Sequence, residues 1–426
     1  MTLGKSAVDG LLSHDEVREI VAQAAAGLML KGKRVLTIIP DGTRTMPMAL
    51  MFQLLQQEIG AQAAACDYLV ALGTHSLMNE TQLTRLLGHA VVNGGCGNAR
   101  VFNHRWDLPD TLVDLGRIPA DKVAEASGGL LSEPILVKIN RLLFDYDQVL
   151  ICGPVFPHEV VGFSGGNKYL FPGVSSGEMI NQTHWLGALL GSYNLIGTLR
   201  TPVRALIDQA AGKITVPVAC FALVLRQQDV AGIYFGSAPE AWKEAAELSA
   251  REHVRWEDRP FRRALSVLPE MYDDIWTGAK GMYKLEPAMA DGGEVVLYAP
   301  HITEFSYTHG AFLDRIGYHC RDYFLKQWDR FADVPRGVIA HSTHLIGQGT
   351  YDASTGIETL RIKVTLATSI PEERCRRLNL NYIDPKSIRF EDWQGREDAG
   401  VKLVPHAGET LYRLKNGVPA GNSGRY

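Results

Sequence analysis

The apolar positions in the first 230 or so residues fall into short unbroken runs separated by stretches of helical periodicity. Ser13-His14-Asp15-Glu16 opens a helix predicted to reach about Met29, with Ser13 and Glu16 spaced as a capping box. Arg34-Val35-Leu36-Thr37-Ile38-Ile39-Pro40 predicts a strand ending at Asp41, and 47–57 the next helix. Residues 67–73, 149–153 and 221–225 repeat the strand form. Strands that are apolar on both faces and alternate with helices predict a parallel sheet covered on both sides. Polar groups follow the strand ends: Asp41-Gly42-Thr43-Arg44 after the first, Thr74-His75 after the second, and His158 beyond 149–152. In open α/β sheets that rim is where ligands bind.

A second pattern begins near Arg263. It predicts a strand over 264–268, a turn at 272–274, one helix from Ile275 to Ala290, a strand over 294–299, and a further helix–strand pair over 312–340. The fold class is therefore α/β, with two α/β domains and mostly parallel sheets. The first spans 1–258 and is joined by the C-terminal segment 390–426, and the smaller second spans 259–389.

With 426 residues, 46% of them apolar and 21% charged, the chain can bury ample core without metal or disulfide staples. A net charge of −4 with dispersed Lys and Arg gives no nucleic-acid footprint and no polybasic membrane patch. The six cysteines form no CxxC pair and mostly sit beside apolar residues, as buried thiols in a reducing compartment do. Neither the profile of a signal peptide nor an apolar run of membrane-spanning length is present, so a cytoplasmic location is expected.

The densest candidate chemistry lies in Gly153-Pro154-Val155-Phe156-Pro157-His158 and on through Gly162-Phe163-Ser164-Gly165-Gly166-Asn167-Lys168 to Pro172-Gly173, with His184 just beyond. Its glycines permit positive φ and a close approach to a ligand, and Ser164 with neighbouring amides suits a phosphate cradle. Lys168 then supplies either a charge for phosphate or an amine nucleophile. A surface turn with a solvated lysine is the plainer alternative, and the string is not a P-loop. Arg44 suits an anion, while Asp41 suits a ribose hydroxyl or the cap of the following helix. His75, His158 and His184 lack zinc-site spacing; a lone histidine near a strand end is more often a hydrogen-bonded structural residue, but of three so placed two could be opposed acid/base groups and the third a metal ligand. Lys280 would face the other domain if the site lies in a cleft.

Taken together, Asp41-Gly42-Thr43-Arg44, Leu72-Gly73-Thr74-His75, the Gly162–Gly173 block with Lys168, and His184 resemble the nickel-pincer lactate racemase family in kind, order and spacing over roughly residues 35–300. The resemblance implies an active site in the cleft between two α/β domains. It implies a nickel-pincer nucleotide, Ni(II)-pyridinium-3,5-bisthiocarboxylate mononucleotide, tethered to Lys168, with His184 completing the nickel coordination. Asp41, Gly42, Thr43, Arg44 and Pro172 would contact the nucleotide, His75 and His158 would be the acid/base pair, and Lys280 would meet the substrate. The implied reaction inverts C2 of a 2-hydroxy acid by hydride transfer through a 2-keto acid, with cofactor-making enzymes as partners. Asn167 stands where the family usually has arginine, and Thr277 where lactate racemase has a substrate-binding glutamine. The second departure, with the polar stretches 301–309 and 341–344, points past lactate to a larger hydroxy acid such as a sugar acid. The alternatives are a non-catalytic carrier of the cofactor and a nicotinamide-dependent dehydrogenase; the latter would need a GxGxxG turn that Asp41-Gly42-Thr43-Arg44 does not supply.

Overall fold

The computed structural model describes residues 2–7 and 10–416, and its contacts divide the chain into two compact units. The first comprises Met1–Phe156, Phe163–Ile180 and Arg204–Glu252; the second comprises Pro157–Gly162, Asn181–Val203 and the chain from His253 onward.

The first unit is built on an eight-stranded sheet ordered Leu3–Ser6, Asp229–Gly236, Val218–Arg226, Gln148–Pro154, Arg34–Ile39, Ala65–Val70, Ala99–Asn103 and Gly95–Cys96. The five strands from Val218–Arg226 to Ala99–Asn103 run parallel. The antiparallel strands at either side carry hairpin connections that the apolar pattern does not distinguish from loops. The Arg34–Ile39 strand is buried from Val35 onward, as its uniform apolar run requires. On one face packs the His14–Gly27 helix, whose capping box forms as expected and whose Val17, Ile20, Val21, Ala24 and Ala25 enter the core at helical spacing.

The second unit holds a five-stranded parallel sheet ordered Asn381–Tyr382, Lys363–Thr368, Met289–Ala299, Phe261–Val267 and Val401–Val404. Two expectations change here. The helix from Ile275 to Ala290 is instead two single turns, Ile275–Gly278 and Lys280–Tyr283, followed by the strand that starts at Met289. A Cβ on Gly281 would lie 2.5 Å from Leu268 and Ser266, so a glycine there lets the second turn pack close against the Phe261–Val267 strand and its end. Residues 312–340 contain no strand; the apolar run after Arg336 belongs to the Arg336–Ile346 helix, which is buried from Gly337 to Ile346, its polar His341–His344 included.

The C-terminal segment also lands elsewhere than expected. Val401–Val404 pairs with Phe261–Val267, and Leu411–Leu414 with Val254–Glu257, so 390–416 groups with the second unit rather than the first. Residues 417–426 lie outside the described residues. All six cysteines are free and buried, and no helix among the described residues is long and apolar enough to cross a membrane.

Candidate active site

In the first unit, three parallel strand ends carry the polar groups. Past Arg34–Ile39 the chain turns, and the buried Asp41 carboxylate accepts hydrogen bonds from the Thr43 amide at 3.0 Å and hydroxyl at 2.6 Å. Its other oxygen lies 2.6 Å from His75 Nδ1, beyond the Ala65–Val70 strand. Burial alone would raise the Asp41 pKa. The facing His75 charge and hydrogen bond, with Arg44 and Thr43, outweigh it and hold the carboxyl well below the usual aspartate range. Arg44 donates to Thr43 Oγ1 at 3.0 Å, while Gly42 is exposed. The side chains of Asp41 and Thr43 are thus spent on orienting His75, and Arg44 supplies the turn's positive charge.

The Gly-rich block is held largely from behind. Ser164 is buried, accepting from the Phe156 amide at 2.9 Å, and its carbonyl accepts from Trp242 Nε1 at 2.8 Å. Its hydroxyl therefore braces the loop, contrary to the phosphate cradle the sequence suggests. The glycines answer chiefly to close packing. A Cβ on Gly165 would sit 2.6 Å from Val155, one on Gly166 2.8 Å from Trp242, and one on Gly173 2.4 Å from the Tyr169 carbonyl. Gly165 and Gly166 also need positive φ. Behind them the Arg204 guanidinium donates to the Phe163 and Gly165 carbonyls and stacks 4.0 Å from the Trp242 ring. Burial lowers its pKa to about 10, leaving it charged. Asn167, in place of an arginine, donates to Asp208 at 2.9 Å. Lys168 follows in a short turn, half-buried, and beyond it Pro172 sits after a cis peptide bond. The Gly173 carbonyl accepts from the Gly73 amide at 2.9 Å, which joins this block to the His75 loop.

In the second unit, His158 Nδ1 accepts from the Val160 amide at 3.1 Å and lies 3.2 Å from the Glu159 carboxylate. Gly162 closes this turn at φ +81°, where a Cβ would come 1.9 Å from the Thr198 carbonyl. His184 rides on the Gly177–Leu190 helix, and a Cβ on Gly187 of that helix would lie 2.9 Å from Val160. The His158 turn and the His184 helix are therefore packed backbone to backbone. Thr277 turns its hydroxyl onto Asp274 at 2.9 Å, as part of a helix cap. Lys280 lies 4.4 Å above the Tyr272 ring, and Trp276 is flanked by His309 at 4.6 Å and His341 at 4.1 Å. Burial first, then the facing His344, His309 and His184, push the His341 pKa well below the ordinary histidine value.

Comparison with known proteins bears on these residues. Residues 15–194 match the family model of the lactate racemase N-terminal domain. A lactate racemase from Thermoanaerobacterium thermosaccharolyticum is 24% identical over 63% of the chain, and one from Lactiplantibacillus plantarum 27% identical over 43%. These matches span 60% and 38% of the length of those relatives. A crystal structure of a Thermotoga maritima protein superposes with a TM-score of 0.88 at 34% identity, covering 96% of this chain and all of that one. The lactate racemase apoprotein from T. thermosaccharolyticum shares the fold, with a TM-score of 0.69 at 20% identity over 93% of this chain and 92% of that one. Over residues 15–194 the chain is thus similar to the lactate racemase family.

What the sequence left unseen is the support around the named residues. Trp242, Asp208 and Trp106 carry no local signal, because their partners lie in distant segments. Arg204 carries a faint one: it interrupts the apolar stripe of Val203, Leu206, Ile207 and Ala210 with a charge. Among the described residues, no three His, Cys, Asp or Glu side chains gather into a metal cage.

Proposed function

We propose that the protein is a cytoplasmic isomerase that inverts the C2 configuration of a 2-hydroxy acid by hydride transfer, using a nickel-pincer nucleotide delivered by cofactor-making enzymes. The observation that carries this reading is the Asp41–His75 pair at 2.6 Å on the sheet's ligand-binding rim. A buried carboxylate against Nδ1 fixes the proton there and leaves the Nε2 lone pair as a base. Lys168 and His184 would hold the cofactor, as tether and as nickel ligand, with Arg44 and Pro172 on its nucleotide. The bound cofactor supplies a reversible hydride acceptor, through which C2 becomes the planar carbon of a 2-keto acid.

His75 Nε2 takes the hydroxyl proton of one enantiomer as C2 is oxidised. Removing hydrogen as hydride avoids a carbanion beside the carboxylate, and a general base of this kind contributes roughly 10²–10⁴-fold. The opposite enantiomer presents its hydroxyl to the other side and needs a second base, His158. When protonated, its Nδ1–H would give up the Val160 amide for the Glu159 carboxylate, and its Nε2–H is the proton to return. Lys280 fits the substrate carboxylate. With the Thr277 hydroxyl occupied, the Trp276, His309 and His341 rings favour a substrate longer than lactate, such as a sugar acid.

Each replacement, His75→Ala or His158→Ala, is expected to abolish net interconversion. Each should still pass one hydride from the enantiomer whose base survives, seen as a single-turnover absorbance change on rapid mixing, and the two variants should prefer opposite enantiomers. A shared preference would overturn the opposed-base assignment. A wild-type protein that holds nickel yet turns over no member of a chiral 2-hydroxy acid panel would favour the cofactor carrier.

A further inference from the structure

We propose that Asn103 and Trp106 form a bracket that positions His75; as a role in turnover, this rests on the reading of His75 as a base. His75 sits on a short loop after the Ala65–Val70 strand, with its side chain 25% exposed, so packing alone does not fix the ring. The loop is gripped at two points from one neighbouring segment. Trp106 Nε1 donates to the His75 carbonyl at 3.3 Å. Three residues further along the loop, Asn103 makes a two-way amide pair with Met78: its Nδ2 donates to the Met78 carbonyl at 2.8 Å, and its Oδ1 accepts from the Met78 amide at 3.1 Å. An amide side chain that satisfies both groups of one residue fixes that residue's height and rotation together.

The gripping segment is itself immobilised. The His104 amide donates to the Val70 carbonyl at 3.2 Å, while its buried ring donates from Nε2 to the Ser175 carbonyl at 2.9 Å and accepts at Nδ1 from Asn140 at 3.0 Å. Asn103 and Trp106 flank this anchored histidine. The path thus runs from the sheet through residues 103–106 to the loop backbone, and from there to the imidazole that must meet Asp41 at 2.6 Å. Displacing a reacting group by about 1 Å can cost on the order of 10²-fold. Both residues act through His75 and are positioning residues.

The test reads His75 itself. A hydrogen bond as short as that to Asp41 gives a downfield imidazole proton in NMR, assigned by its disappearance in His75→Ala, and requires no bound cofactor. Trp106→Phe keeps an aromatic ring and removes only the donor; Asn103→Asp keeps the acceptor and removes the other half of the pair. Each is expected to broaden or abolish the signal and to lower kcat by on the order of tenfold or more with KM little changed. Asp107→Asn, which opens the exposed Arg105–Asp107 ion pair in the same segment, should change neither. If one bracket variant does not fold, the other carries the test. A signal intact in a folded bracket variant would overturn the bracket. A signal lost with turnover unaffected would instead overturn His75 as the base, and with it the catalytic use of the bracket.

Discussion

At the scale of single residues, the decisive contact joins Asp41 to His75 across 34 positions of sequence. Each was visible as a polar group after an apolar run, but their partnership depends on adjacent parallel strands ending at the same height, which no local pattern encodes. Asp41→Asn should therefore cost more than a nucleotide contact would. The amide presents a donor or acceptor to Nδ1 without a charge, frees the imidazole to take the wrong tautomer, and should lower kcat by roughly 10²–10⁴-fold with the fold preserved. Steady-state rates beside a thermal melt would check this, and a loss confined to cofactor affinity would argue for the nucleotide role. The partners of Ser164 and Thr277 were not legible: the first hydroxyl accepts from the Phe156 amide and the second donates to the Asp274 carboxylate. Gly162 was legible because its constraint is local. Gly162→Ala would place a methyl against the Thr198 carbonyl at positive φ and should lower the melting temperature by several degrees.

At the scale of elements, strands and capped helices of the first unit were legible because burial on both faces leaves an unbroken apolar run, as in Arg34–Ile39, and a cap leaves Ser13 and Glu16. The second unit was harder to read. Its Arg336–Ile346 helix is buried along its length, polar His341–His344 included, and the short apolar run Val338–Ala340 does not by itself tell helix from strand. The Ala99–Asn103 strand leads directly to His104, a polar residue with no exposure at all. Burial lowers its pKa to about 4, although the Ser175 carbonyl and Asp107 work the other way. Its hydrogen bonds suit the neutral ring, with Nε2–H donating and Nδ1 accepting. Between the unfolded value near 6.5 and about 4, the unfolded chain therefore binds a proton that the folded chain refuses. Stability from this group is complete above about 6.5 and falls as pH drops towards 4, by at most about 1.4 kcal/mol per pH unit. Urea titrations at intervals across that range should show the decline, and His104→Gln should flatten it; a wild-type profile level from pH 7 to 4.5 would contradict the assignment.

At the scale of the whole molecule, the proposed functional groups are divided between units: Asp41, Arg44, His75 and Lys168 in the first, His158, His184 and Lys280 in the second. The sequence singled out all of these residues and two α/β layouts but not this partition, because short inserted stretches look like ordinary loops. Two measurements bear on the proposed cofactor. Protein made alongside the cofactor-making enzymes should gain mass that Lys168→Ala lacks, and His184→Ala should lose nickel by metal analysis while retaining its circular dichroism; nickel at full occupancy in that variant would remove His184 from the metal. The same partition has a consequence for how such proteins can be rearranged. The chain enters the second unit at Pro157, again at Asn181, and finally at His253. The Asn181–Val203 passage is stitched to the C-terminal half of the chain: Asn181 to the Gly337 amide, Gln182 to Arg336, the Leu189 carbonyl to Arg321, and Ile196 to Arg413. The stretch from 15 to 194 shared with relatives is therefore not a cassette. Cutting or recombining the gene near residue 253 would leave a fragment carrying surfaces whose complements sit on the discarded half, so chimeras between relatives should succeed only when the two short inserts travel with the C-terminal half they pack against.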